Sequence, residues 1–113
     1  MLPKKFSNGK PEEIIQNSII SFMRSREWFV KPTIGNIYQS GFPDLYCSHR
    51  RYGQRWVEVK NPKQYAFTPA QIENFPLFCA NGSGVWVLVA ATDEEYKKLF
   101  LPPNWYQYLA IMK

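Results

Sequence analysis

Two short apolar runs on either side of a basic turn constrain the fold of this chain more than any other feature. The runs are PDLYCSH (43–49) and QRWVEVK (54–60), and the sequence RRYG separates them. β-Branched and aromatic residues favour strands, and Gly53 suits a tight turn between two strands. The pattern therefore predicts a β-hairpin.

The second strand of this hairpin carries an acid and an amine on one face. Side chains alternate faces along a strand, so Trp56, Glu58 and Lys60 share one side of the sheet. Val57 and Val59 lie on the other side. Two interpretations are open at this point: an ion pair on an exposed strand, or two charges placed for chemistry.

The rest of the chain predicts helices and further strands around the hairpin. Apolar residues recur at helical spacing after Pro11, and TPAQ (68–71) has the form of a capping box that begins a helix. The predicted elements are, in chain order, a loose basic leader (1–11), a helix to about Arg26, strands at 28–33, 43–49 and 54–60, a helix over 68–80, a buried strand at 84–90 and a helix over 92–100. The order α-β-β-β-α-β-α predicts an α/β fold in which helices flank a small mixed sheet, in a single domain over 1–113.

Composition excludes several classes of protein. The chain has 113 residues, of which 45% are hydrophobic, enough for a core without disulfide bonds. Its two cysteines form no disulfide or zinc pattern, no apolar run follows the basic start as in a signal peptide, and no run is long enough to span a membrane. We therefore expect an intracellular, cytoplasmic protein that does not associate with membranes.

The net charge of +5 is unevenly distributed along the chain. Residues 1–63 carry a net +6, whereas residues 64–113 carry a net −1. A basic excess in one half fits a surface that faces a polyanion such as nucleic acid. An ordinary solvated basic surface explains the charge equally well.

The sequence GFPD (41–44) places a second carboxylate at the start of the first hairpin strand. The start of one hairpin strand lies beside the end of its partner, so Asp44 should lie near Glu58 and Lys60. Two carboxylates can hold a hard cation such as Mg²⁺, and the Val59 carbonyl could add a further oxygen ligand. Lys60 could orient the attacking water or neutralise a phosphate. A turn aspartate after proline is the simpler alternative for Asp44.

These motifs together resemble a known nuclease family. Gly-x-Pro-Asp at 41–44, followed after a hairpin by Glu58-Val59-Lys60, is similar to the core motif of the PD-(D/E)XK nuclease superfamily. The element order over residues 12–91 is similar as well. SGFPDL, VEVK and a helical glutamine soon afterwards most resemble the virus-type replication-repair nuclease (VRR-NUC) domain in its stand-alone phage form. The resemblance implies a restriction-endonuclease-like fold.

The resemblance also implies an Mg²⁺-dependent DNA endonuclease, in which Mn²⁺ is expected to substitute for Mg²⁺. Asp44, Glu58 and the Val59 carbonyl would hold the metal, with Lys60 beside them. The partner would be branched DNA such as a four-way (Holliday) junction, and a homodimer would supply the two active sites that paired cuts need. A monomeric flap or nicking nuclease, a catalytically inactive DNA-binding module of the same fold and a purely structural domain are the alternatives.

Two supporting side chains follow from the resemblance, a first-helix glutamate on the metal and a glutamine near the site. Glu12 and Glu13 are both candidates for the glutamate. At about 100° per residue, Glu12 falls within the apolar sector of the helix and Glu13 does not, which favours Glu12. Both would alternatively serve only the helix dipole. Gln71 is the implied glutamine, although completing the capping box would compete for the same side chain.

Candidate DNA contacts are basic and aromatic residues of the hairpin and of the loop after it. They are Arg50, Arg51 and Arg55 on the hairpin, and Lys63 and Tyr65 in the loop. Cations that contact phosphates and rings that stack on unpaired bases bind single strands. Each of these residues also has a simpler interpretation as a solvent-facing or core residue. His49 is expected to be a solvated turn histidine, and the aromatic residues near the end of the chain would cover the core or form a subunit interface.

Overall fold

The chain folds into a four-stranded sheet with helices on both faces. The computed structural model describes residues 11–33, 41–63 and 67–112, the last four of these by their backbone alone. The predicted leader therefore lies outside the described residues, except for Pro11. The elements are α1 (Pro11–Arg24), β1 (Phe29–Pro32), β2 (Leu45–His49), β3 (Gly53–Val59), α2 (Pro69–Ala80), β4 (Val85–Leu88), α3 (Asp93–Lys97) with a 3₁₀ turn (Lys98–Phe100), and α4 (Trp105–Met112).

The sheet has the strand order β1-β2-β3-β4. The first three strands form an antiparallel meander, and β4 lies parallel to β3. A parallel neighbour requires a crossover connection, which α2 supplies. The predicted mixed sheet and element order are confirmed. In the hairpin, Leu45 pairs with Val57 and Tyr46 pairs with Trp56.

Each face of the sheet has its own apolar cluster, because alternate side chains point to opposite faces. We call these the α1 face and the α2 face after the helix that covers each. The α1 face is formed chiefly by Ile19, Met23, Val30, Leu45, Cys47, Val57, Val59, Trp86, Leu88 and Leu99. The α2 face is formed by Phe67, Phe75, Val85, Val87, Trp105 and Tyr108. Trp56 packs at the margin of the second cluster.

The end of the chain forms a helix that the sequence pattern did not predict. Trp105 and Tyr108 are buried, so they cover the core, whereas Tyr106 is exposed. The buried side chain of Asn104 accepts a hydrogen bond from the Val87 amide at 2.7 Å and donates one to its carbonyl at 3.2 Å. This amide takes the place of a neighbouring strand on the outer edge of β4. A contact of this kind leaves no periodic signal in the sequence.

Two expectations from composition concern membranes and cysteines. Among the described residues, no helix combines the length and apolar character needed to cross a membrane. Cys47 and Cys79 are both free thiols. Burial raises the pKa of the Cys47 thiol to about 12, as befits a small apolar core residue.

Gly41, the first residue of the GFPD motif, should tolerate no side chain. Its φ of +83° lies in the left-handed region, and an added Cβ would meet the Ala70 carbonyl oxygen of α2 at 2.7 Å. We expect Gly41→Ala to lower the free energy of unfolding by about 2–3 kcal/mol, because it adds a clash to the left-handed backbone cost. Gly82→Ala is the matched control, since Gly82 has φ +92° and nothing within 4 Å of an added Cβ. Denaturant unfolding measures both losses, and equal losses would contradict the clash.

Candidate functional site

The end of the β2–β3 hairpin holds two carboxylates that hydrogen-bond each other's strand. Leu45 pairs with Val57, so the next position along the ladder brings Asp44 opposite Glu58. The Asp44 amide donates to Glu58 Oε1 at 3.2 Å, and the Val59 amide donates to Asp44 Oδ2 at 2.8 Å. These two bonds confirm the predicted proximity of Asp44 to Glu58 and fix both side chains on the backbone.

Asp44 is held from the β1 side as well. The Thr33 amide donates to the Asp44 carbonyl at 2.8 Å, and the Thr33 hydroxyl lies 2.9 Å from the Pro43 carbonyl. The backbone of the motif is therefore tied to β1, β3 and, through Gly41, to α2. Residues at the ends of β1 and β3 both hold Asp44, so its position depends on the meander being formed.

Glu58 and Lys60 form a buried ion pair. Lys60 Nζ lies 3.0 Å from Glu58 Oε2, and the two residues are only 4% and 2% exposed. The interpretation of an ion pair on an exposed strand is therefore wrong. A buried pair of charges carries a large desolvation cost that its mutual attraction only partly offsets. Lys60 Nζ also lies 4.6 Å from the centre of the Phe67 ring, a buried contact that the sequence pattern did not indicate.

Gln71 makes the contacts of both roles that were expected to compete, with the helix cap and with Glu58 and Lys60. Its Oε1 accepts from the Thr68 amide at 3.0 Å, which completes the predicted capping box with Thr68 Oγ1. The same oxygen accepts from Lys60 Nζ at 3.3 Å, and Nε2 donates to Glu58 Oε2 at 2.8 Å. The expected competition was wrong, because an amide oxygen has two lone pairs and the nitrogen end stays available. These bonds hold the first turn of α2 against Glu58 and Lys60.

Burial raises the pKa of both carboxyls. The pKa of Glu58 rises from 4.5 to about 8, because burial and then the charge of Asp44 disfavour ionisation more than Lys60 and Gln71 favour it. The pKa of Asp44 rises from 3.8 to about 6, again chiefly through burial, against the Val59 amide and Lys60. Two neighbouring carboxyls with raised pKa values would both be stabilised in their ionised form by a bound positive charge, and such pairs are typical of functional sites.

The two first-helix glutamates differ in exposure and in reach. Glu12 is exposed and Glu13 is partly buried, which is the reverse of what the helical sector suggests. Glu12 lies in the first turn, far along α1 from Ile19 and Met23, which insert into the core. The charge of Glu12 nevertheless reaches Asp44 and contributes to its raised pKa. Glu13 Oε1 is buried and has no hydrogen-bond partner among the described residues.

The described residues offer a divalent cation two carboxylates, those of Asp44 and Glu58. Within residues 11–33, 41–63 and 67–112, no group of three or more His, Cys, Asp or Glu side chains is arranged to hold a metal. Mg²⁺ commonly takes one or two protein carboxylates and completes its shell with waters and substrate phosphates. The donor set therefore fits Mg²⁺, and the shared resistance of the two acids to ionisation is what a cation between them would relieve.

Comparison with known proteins bears on the fold. No protein-family model and no curated protein matches the chain. A solved structure titled "VRR_NUC domain" matches it with a TM-score of 0.67 and 21% sequence identity, over 82% of this chain and 98% of that one. The chain has the VRR_NUC fold. This match confirms the predicted restriction-endonuclease-like architecture. Asp44 and Glu58 lie at the end of the central hairpin of this fold.

The predicted DNA-contact residues are spread over this VRR_NUC fold. Arg50 and Arg51 are exposed at the hairpin tip, at the opposite end of the strands from Asp44. Lys63 is exposed after β3, and Tyr65 lies outside the described residues. Of the four that the structure describes, only Lys63 therefore follows β3 at the end where the acids lie.

Arg55 has a different setting from the other arginines. Its guanidinium donates to the carbonyls of Leu99, Tyr52 and Gln54 at 2.7–3.0 Å. It also lies over the Trp86 ring at 5.1 Å, on the face away from Glu58. These contacts tie the hairpin to the 3₁₀ turn, so Arg55 has a structural role.

His49, expected to be a solvated turn histidine, is instead the partly buried last residue of β2. Its Nδ1 accepts from the Arg51 amide at 3.0 Å, and its ring packs against those of Trp28 and Tyr52, which also contact each other. A side chain used in this way shapes the hairpin tip. It lies at the far end of β2 from the acid pair.

The raised pKa values predict that stability falls as pH rises. Both folded-state values exceed the unfolded ones, so the folded state holds more protons from about pH 4 to pH 8. This contribution to stability is complete below the unfolded pKa values and is lost as pH rises through about 6 and about 8. We expect the melting temperature of the metal-free wild type to fall between pH 5 and pH 8, and Asp44→Asn to reduce that fall.

Asp93→Asn is the matched control for the pH experiment. Asp93 is an exposed acid on α3 whose ion pair with Arg26 is open to solvent. It should keep the wild-type dependence of melting temperature on pH. A wild-type dependence that Asp44→Asn leaves unchanged would contradict the assignment.

Proposed function

We propose that this protein is an Mg²⁺-dependent, structure-selective DNA endonuclease that hydrolyses phosphodiester bonds. One observation carries the proposal: two carboxyl groups, the partly buried Asp44 and the buried Glu58, lie together at the end of the central hairpin with Lys60 beside them. The VRR_NUC fold supports the same activity. A buried charged network that costs stability and has perturbed pKa values is typical of a catalytic site.

Asp44 and Glu58 would hold the metal, with Glu12 as a further carboxylate and the Val59 carbonyl as a further oxygen. When bound, Mg²⁺ supplies an activated water and a positive charge beside the phosphate. The contacts of Glu58 leave it able to bind, since each carboxylate oxygen has two lone pairs and, among the described residues, only Oε2 has two partners. The Val59 amide orients Asp44, which stabilises its ionised form.

Lys60 and Gln71 prepare the site for a phosphate. The Lys60 ammonium, held by Glu58 Oε2 and Gln71 Oε1, places a fixed positive charge next to the acids. It can neutralise a phosphate oxygen or orient the attacking water as charge develops in the transition state. Gln71 positions both partners, because its amide bridges them from the rigid first turn of α2.

The substrate that fits this fold best is branched DNA, and the assembly is a homodimer. One small domain offers little surface for sequence readout, so structure-selective cutting is favoured. Paired cuts in a four-way junction need two active sites related by a two-fold axis, which a homodimer supplies. A monomeric flap or nicking nuclease is the second candidate. A catalytically inactive DNA-binding module is the third, although the intact Asp44, Glu58 and Lys60 argue against it.

Loss of one acid or of the lysine should abolish cleavage. We expect Asp44→Asn and Lys60→Met to lower the cleavage rate of a labelled four-way junction in Mg²⁺ at least about a hundredfold, since each removes charge stabilisation of several kcal/mol. Mn²⁺ should support cleavage and EDTA should prevent it. Asp93→Asn and Lys97→Ala change exposed residues of α3 and should cut at the wild-type rate.

The same assay separates the three candidates. Symmetric paired nicks in the junction, with a dimer seen by light scattering, support the resolving homodimer. Flap cutting by a monomer supports the second candidate, and junction binding without cleavage in either metal supports the third. Cleavage that persists in EDTA or in Asp44→Asn would refute the proposed metal site.

Gln71 and Thr68 should separate helix capping from catalysis. Thr68→Ala and Gln71→Ala each remove one half of the capping box and should each lower stability by about 1 kcal/mol. Only Gln71→Ala also releases Glu58 and Lys60, so only it should lower the single-turnover cleavage rate, by about tenfold or more. Comparable rates in the two variants would contradict a positioning role for Gln71.

A further inference from the structure

The α2 face of the sheet continues from the acid pair toward the hairpin tip. Strand alternation puts Asp44, Tyr46 and Ser48 on one face of β2, and the ladder pairs Tyr46 with Trp56 and Ser48 with Gln54. The Tyr46 and Trp56 rings are in contact, with centres 5.2 Å apart. The face that carries the chemistry is therefore continuous with a row of aromatic and polar side chains.

Part of this face is open in the described structure. Phe29 on β1 is 54% exposed, and Tyr46 beside it is partly exposed. A groove of about 640 Å³ lies over this region, with Phe29, Tyr46, Ser48, Arg50 and Gln54 among its lining residues. A volume of this size accommodates a small organic group such as a nucleotide.

The lining of the groove has the chemistry of a single-strand site. The Phe29 and Tyr46 rings meet edge-on at 72°, so they present two walls at a steep angle on which an unpaired base can stack. Ser48 and Gln54 offer hydrogen bonds to a base edge. A base pair inside a duplex keeps its faces stacked on its neighbours, so rings of this kind favour unpaired nucleotides.

The charges around the groove favour a polyanion. Arg50 lines it, and the exposed Lys31 on β1 has its Nζ 6.0 Å from the centre of the Phe29 ring. Among the described residues that line the groove, Glu27 is the one acid. A second copy seated on the same face would bring like charges and polar side chains together across a two-fold axis, which makes it the weaker occupant.

The spacing along β2 sets how much DNA would separate the groove from the acids. From Asp44 to Ser48 is four residues, or about 13 Å of strand. A stacked strand of DNA rises about 3.4 Å per nucleotide, so about four nucleotides span this distance. We propose that the groove binds an unpaired nucleotide of the DNA substrate about four positions from the bond at Asp44 and Glu58. This inference rests on the proposed function for the location of that bond.

The test measures binding and does not require cleavage. Asp44→Asn protein in EDTA is titrated against labelled duplexes that carry single-stranded arms of zero to eight nucleotides, and fluorescence anisotropy gives the affinity. Affinity should increase up to an arm of about four nucleotides and then level off. In that background, Phe29→Ala and Phe29→Leu should bind the long arm about fivefold or more weakly, whereas Phe29→Tyr, which keeps a ring, should bind it normally.

Charge and position have their own controls. Arg50→Ala and Lys31→Ala should each reduce the slope of log affinity against log salt by about 0.7 for the long arm, as expected for a lost phosphate contact. Tyr106→Ala and Lys97→Ala remove an exposed ring and an exposed cation elsewhere and should change neither affinity nor slope. None of the Phe29 variants should weaken binding to the blunt duplex.

Several specific results would overturn the proposed nucleotide-binding groove. Affinity that does not depend on arm length, or equal losses on blunt and armed duplexes, would overturn the groove. Conversion of a dimer to a monomer by Phe29→Ala in light scattering would also overturn it and assign this face to a subunit contact. A wild type that binds the arm as described but never cuts would refute the proposed function and support the groove. A wild type that cuts but whose affinity does not depend on arm length would support the proposed function and refute the groove.

Discussion

The structure of the site depends on two hydrogen bonds at the end of the central hairpin. The Asp44 amide donates to the Glu58 carboxylate, and the Val59 amide donates to the Asp44 carboxylate. Beyond the pair Leu45–Val57, side chains thus take over the hydrogen bonds that backbone carbonyls make within the ladder. Neither acid can move without releasing a backbone amide of the other strand, so the sheet itself fixes the distance between the two carboxylates.

This arrangement is expensive for the fold, and the surrounding residues limit the cost. Glu58 and Lys60 are almost fully buried, and such a pair stabilises a protein less than apolar residues of similar size would. Gln71 satisfies both partners, and the Phe67 ring lies against the ammonium. A network that costs stability in this way and raises the pKa of two acids is typical of a functional site.

Much of the fold was predictable, because its elements have strong local signals. The hairpin, the capping box at Thr68 and the buried strand at 85–88 follow from alternation, a paired cap and an uninterrupted apolar run. Helix α4 was not predicted, although its buried residues Trp105 and Tyr108 lie three positions apart, as on one face of a helix. The contact of Asn104 with the edge of β4 leaves no pattern in the sequence. Local patterns predict elements, whereas single side chains that replace a strand become visible only in three dimensions.

The candidate site was predictable in part for the same reason. A hairpin brings Asp44 beside Glu58 whatever the rest of the chain does, so that proximity follows from the sequence. Two features did not follow. Alternation puts Arg55 on the α1 face, but the sequence does not show that the Leu99 carbonyl accepts a hydrogen bond from its guanidinium there. From the sequence, Gln71 was expected to serve either the helix cap or the site. A linear sequence does not show that one side-chain amide can reach Thr68, Glu58 and Lys60 together.

Because side chains alternate along β2 and β3, the face that carries Asp44 and Glu58 also carries aromatic side chains toward the hairpin tip. The alternation that puts Glu58 on the same face as Trp56 also puts Asp44 on the same face as Tyr46. A substrate strand that leaves the acid pair along these strands must therefore cross the row of rings that begins with Tyr46. Trp56 contacts Tyr46 on one side and Phe78 of α2 on the other, so it marks the boundary between the open part of this face and the part that α2 covers.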